Sequence, residues 1–140
     1  MDPDVRMLLD RAEIDDLLTR YTYAVDAREF DRLDTVFTPD AHIDYTATGG
    51  IAGEFPEVQR WLAEALALAS HMQHVLGQRE IELDGDTARV RAYFWNPMRF
   101  TPPEGDPLEL HLGGVYEHDL VRTDAGWRSR RLVEHLLWRR

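Results

Sequence analysis

The chain is 140 residues long, the size of one domain that can bury a core and enclose a small cavity, and residues 1–140 are expected to form a single domain. Its 26 acidic against 16 basic residues give a net charge of -10 with no basic stripe, which argues against nucleic acid and anionic membrane as partners. With no Cys, no Lys, and only Ser70 and Ser129 as serines, neither in a GxSxG turn, the chain lacks thiolate, disulfide, zinc-thiolate, Schiff-base, P-loop-lysine and nucleophile-elbow chemistry. Asp, Glu, His, Tyr and Arg remain, a set suited to proton transfer and oxyanion stabilisation without a cofactor. No apolar run approaches the roughly 18 to 20 residues of a membrane helix. The opening MDPDVRMLLDR has neither the basic nor the apolar stretch of a secretory leader, so a cytoplasmic location is expected.

From Asp4 to about Ala27, apolar residues at Val5, Leu8, Leu9, Ala12, Leu17, Leu18, Tyr21 and Val25 follow the helical repeat behind N-terminal acids. A short helix is expected over Phe30 to Phe37, stopped by Thr38-Pro39-Asp40, then a β segment from Ala41 to Ala47 ahead of Gly49-Gly50. Pro56 suits the first turn of a third helix running through Val58, Trp61, Leu62, Ala65, Leu66 and Ala69. Four long β segments follow: His71 to Leu83, Thr87 to Phe100, Leu108 to Arg122 and Trp127 to Trp138. Asp84-Gly85-Asp86 and Thr123-Asp124-Ala125-Gly126 form hairpin turns between them, and the proline-rich Thr101 to Pro107 forms a longer connection. Helices followed by a meander predict an α+β fold, a curved antiparallel sheet with three N-terminal helices on one face. Gly113-Gly114 marks a bulge or bend, and the curled sheet closes into a cone with an interior pocket.

Asp26 sits where the first helix ends, so the helix dipole disfavours its charge and a partner is wanted, although a solvated acid or a cap for the next turn fits the position as well. In His71-Met72-Gln73-His74, residues three apart in a strand face opposite ways, so one histidine looks inward. It reads as a hydrogen-bonded core residue unless a buried acid reaches its ring, which would fix the tautomer and raise the basicity of the other nitrogen. Tyr21, Tyr23, Tyr45 and Tyr116 are candidate hydroxyl donors or core aromatics. Phe94, Trp95, Met98 and Phe100 are expected to line the pocket, with Asn96 among them. Of the C-terminal arginines, alternation allows Arg130 or Arg131 to reach the cavity. The six histidines show no HxH or HxxxH spacing with a nearby carboxylate, so no metal site is expected.

The stretch RAEIDDLLTRYTYAVDAREFDRLDTVFTPDAHIDY, continued by HMQHVLG, HLGGVYEHDL and the final GWR, resembles the SnoaL-like branch of the nuclear-transport-factor-2-like superfamily over nearly the whole chain. That resemblance implies the same α+β cone. It also implies a likeness to scytalone dehydratase, bile-acid 7α-dehydratase and γ-hexachlorocyclohexane dehydrochlorinase, lyases that share an Asp on the first helix and a His on the following long strand. Asp26 and His74, 48 residues apart, match that pair. Tyr21 matches a polar site residue five before the Asp, and Tyr45 resembles a substrate-orienting tyrosine. The resemblance departs near Asn96-Pro97, where scytalone dehydratase has a second histidine, and near Leu132, where the other two enzymes have an arginine.

On this reading Asp26, His74 and Tyr21 are the catalytic candidates. Tyr45, Tyr23, Trp95, Asn96, Tyr116 and Arg130 are the candidate substrate contacts. The expected activity is a cofactor-independent dehydratase acting on a small hydrophobic cyclic, polyketide-like or steroid-like substrate. A cyclase or isomerase of secondary metabolism, or a noncatalytic binding or subunit-interaction domain, are the alternatives. The outer face of so long a sheet, and the habit of relatives, lead to an expected homodimer or homotrimer.

Overall fold

The computed structural model describes all 140 residues. Helix α1 (Pro3–Asp26) starts where the Asp2 side chain accepts hydrogen bonds from the Asp4 and Val5 backbone N–H groups and Pro3 sets the first turn. Its buried face runs through Ile14, Leu17, Leu18, Tyr21, Ala24 and Val25. The expected stripe is shorter at its start than the pattern suggests, because Val5, Leu8 and Leu9 lie exposed and the buried face begins at Asp10.

The chain then makes a 3-10 turn (Phe30–Thr35) rather than an α-helix and enters β1 (Phe37–Asp44), earlier than expected. A second 3-10 turn (Thr46–Thr48) and the short β2 (Ala52–Glu54) lead into α2 (Phe55–Ala65), which stops four residues before Ala69. β3 (Ala69–Met72), β4 (Val75–Asp84), β5 (Thr87–Phe100), β6 (Leu108–Thr123) and β7 (Gly126–Arg139) complete the sheet. Its order is β2-β1-β7-β6-β5-β3, with β4 also paired to β5.

Two expectations need correction. The sheet is mixed, because β1 runs parallel to β7. A parallel pair needs a long crossover, and here the whole intervening chain provides it, a pairing invisible to a reading of neighbouring strands. Second, the strand expected from His71 to Leu83 is broken at Gln73-His74. Opposite the break lies Pro97, which has no N–H to give. The Asn96 side chain donates to the Gln73 carbonyl instead (3.0 Å), and Gln73 N–H donates to the Pro97 carbonyl (3.2 Å). The His74 N–H is thereby left free of the ladder.

Two bulges shape the last strands. At Gly113-Gly114 the β6–β7 register shifts, and a Cβ on Gly114 would stand 1.9 Å from the His135 carbonyl oxygen, so the close approach requires glycine. The other bulge lies where Leu120 faces Ser129 and Asp119 faces Arg131, so Arg130 is the extra residue. Trp127 and Ser129 point inward before it, Leu132 and Glu134 after it. Trp127, Tyr116, Phe37, Ile14, Leu17 and Leu18 are fully buried between sheet and helix.

Candidate active site

Asp26 is the last residue of α1, and its carboxylate closes the gap left by the interrupted strand. Oδ2 accepts from the His74 backbone N–H (2.8 Å) and Oδ1 meets His74 Nδ1 (2.6 Å). A carboxylate can only accept, so Nδ1 carries the proton and Nε2 is the bare, basic nitrogen. The His74 side chain is 7% exposed and that of Asp26 24%. Arg28, with φ 58°, donates from its guanidinium to the Ala69 carbonyl, fastening the end of α1 to the start of β3.

His74 lines a cavity of about 200 Å³ between the concave sheet, α1, α2 and the Thr46–Thr48 turn. Trp61, Leu62 and Leu66 from the α2 side, and Met98, Leu110 and Leu112 from the sheet, make its apolar wall. Its polar wall is Tyr21, Tyr45, Tyr116, Asn96 and Glu134. The Tyr21 and Tyr45 hydroxyls share a 2.5 Å hydrogen bond. The Tyr21 ring meets Tyr116 edge-on at 5.4 Å, and Phe94 stacks beneath Tyr116 at 4.2 Å. Burial, reinforced by neighbouring phenols and by Glu134, holds all three tyrosines well above the usual phenol range, so they stay protonated.

His74, Tyr21, Tyr45, Tyr116 and Asn96 therefore line one hollow, as do Met98 and Phe100, whereas Asp26 stands behind His74 and Phe94 lies against Tyr116 without reaching the cavity surface. Three expected contacts do not. Tyr23 is 66% exposed, because two residues along the helix from buried Tyr21 is the opposite face. Trp95 is 46% exposed, since strand alternation lets only one of Phe94 and Trp95 look inward. Arg130 is the bulged residue on the outer surface, and Arg131 is also exposed.

Glu134 was missed. It is 7% exposed, takes a hydrogen bond from the Thr48 hydroxyl (2.5 Å), and lies opposite Tyr116 in the β6–β7 ladder. Burial lifts its carboxyl above the ordinary range, against the opposing pull of Thr48, His74 and Tyr116. The signal was a glutamate on the same strand face as Leu132 and Leu136. No three His, Asp or Glu side chains gather closely enough to hold a metal ion.

The fold is shared with solved structures. A scytalone-dehydratase-like protein of Novosphingobium aromaticivorans superposes with a TM-score of 0.83 at 19% identity, covering 95% of this chain and 87% of that one. The hexachlorocyclohexane dehydrochlorinase LinA-type3 of Novosphingobium barchaimii gives 0.82 at 20% identity, covering 98% and 92%. An uncharacterized protein of Mycobacterium tuberculosis is 46% identical over 131 residues, 93% of this chain and 87% of its own. The model of the SnoaL-like domain matches residues 6–133, and the chain belongs to that family.

Proposed function

We propose that this chain is a cofactor-independent lyase, a dehydratase for a small hydrophobic cyclic substrate of polyketide type. The observation that carries this reading is the grip of Asp26 on His74 through both carboxylate oxygens, which leaves Nε2 as the open base on a cavity-lining ring. Nε2 removes a proton from the carbon beside a carbonyl, and Asp26 stabilises the imidazolium that forms. The Tyr21 and Tyr45 hydroxyls, hydrogen-bonded to each other and kept protonated by burial, stabilise the oxyanion that develops. The apolar wall excludes water and strengthens each of these contacts. At about 200 Å³ the cavity falls below the roughly 300–1,000 Å³ of drug-sized pockets, which favours one or two rings over a four-ring steroid. The names of the two solved neighbours, a dehydratase-like protein and a dehydrochlorinase, both denote eliminations, in agreement with this chemistry.

A cyclase or isomerase would use the same residues, and product mass separates the readings. The bicyclic β-hydroxy ketone 3-hydroxytetralone aromatises to a naphthol on losing water. Incubated with the protein, it is expected to yield a product lighter by one water. A product of unchanged mass would favour isomerisation, and a ketone left untouched by excess protein would sink the dehydratase reading.

A further inference from the structure

Glu134 has no arginine partner, and the basic side chain that acts on it is His74. No Arg lines the cavity, and the carboxylate forms no ion pair, although a buried carboxylate ordinarily has a charged partner. The groups that face it are Tyr21 from α1, Asp44 and Tyr45 from and just after β1, Thr48 from the turn beyond, Tyr116 from β6, and His74 at the strand break. From α2 the cavity receives only apolar side chains. Thr48 holds one oxygen in place, and His74, whose Nδ1 is taken by Asp26, lines the same hollow.

We propose that Glu134 is the general acid of the elimination, giving its proton to the departing hydroxyl while His74 takes the proton from carbon. This rests on the dehydratase reading and deepens it. The C–H bond breaks toward Nε2, its electron pair becomes the new C=C bond, and the C–O bond breaks with its pair on oxygen. That oxygen leaves as water with the Glu134 proton. The imidazolium and carboxylate that remain are restored by passing one proton from His74 back to Glu134, so the net change is substrate to alkene plus water. Burial, helped by the nearby Asp44 charge, keeps the Glu134 carboxyl protonated to higher pH than an exposed glutamate, which suits an acid.

The test compares two leaving groups, since hydroxide needs a proton to depart and chloride does not. For wild type and Glu134→Gln, kcat/KM is measured on 3-hydroxytetralone and on the matching β-chloro ketone. The ratio of hydroxy to chloro activity is expected to fall about 100-fold in the variant, within the range for general acid catalysis. An unchanged ratio would overturn the role of Glu134 and leave His74 as base. Wild type inert on both ketones would overturn the elimination reading and this role with it. A wild-type pH profile needs no folded variant: an alkaline limb on the hydroxy ketone that is absent from the chloro ketone supports the proposal, and identical profiles contradict it.

Discussion

Two buried side chains on neighbouring strands show how strongly a single residue's environment sets its chemistry. His118 is fully buried among Tyr21 and Phe37, and burial pushes it down to about 4. Its Nδ1 lies 2.8 Å from Ser129 Oγ, and because Ser129 gives its own proton to the Arg131 carbonyl, Nδ1–H is the donor. Nε2 is left without a partner. The unfolded chain, with histidine near 6.5, binds this proton more readily than the fold does, so stability is present above pH 6.5 and is lost as pH falls toward 4. Between pH 7 and pH 5 that amounts to about 2 kcal/mol. Urea unfolding at both pH values should show this loss in wild type and not in His118→Gln; equal losses would assign the acid sensitivity elsewhere. Most of the candidate site was legible residue by residue, because Asp26, His74, Tyr21 and Tyr45 matched a family pattern. Glu134 was hidden by the bulge at Arg130, which resets alternation so that parity counted from Trp127 would put it outside.

Elements were legible where local chemistry decides them and illegible where a distant partner does. The period of α1 and the two hairpin turns follow from neighbouring residues, and the structure keeps them. The parallel pairing of β1 with β7 and the break at His74 depend on strands far away in sequence, the break through Pro97. One tie between elements is a carboxylate on α1: Asp10 takes two hydrogen bonds from Arg122 of β6 (2.6 and 2.9 Å) and one from the Trp127 indole of β7 (3.1 Å). The Arg122 guanidinium, foremost through those bonds, holds Asp10 below the usual carboxylate range. Asp10→Ala leaves a partly exposed Arg122 that keeps Asp86, so the expected loss is about 2 kcal/mol, less than the roughly 3–5 kcal/mol of a fully buried pair. Asp10 does not line the cavity, so turnover of the ketone should stay within a few-fold. Unchanged urea stability would mean that this network does not anchor the helix.

At the scale of the whole molecule, the curled sheet supplies a concave face, the helices close it, and no helix is long and apolar enough to cross a membrane. The α+β cone was legible because helices precede a strand meander, and its mixed sheet leaves that architecture intact. What the architecture accomplishes is to bring the end of α1 against a strand that a proline has opened, so that one carboxylate orients one imidazole inside an apolar hollow. The decisive measurement is kcat/KM for loss of water from 3-hydroxytetralone in wild type, His74→Ala and Asp26→Asn, with circular dichroism showing each variant folded. The dyad mechanism predicts a fall of about 1,000-fold or more for His74→Ala and about 100-fold for Asp26→Asn. Activity within a few-fold of wild type in either folded variant would contradict it.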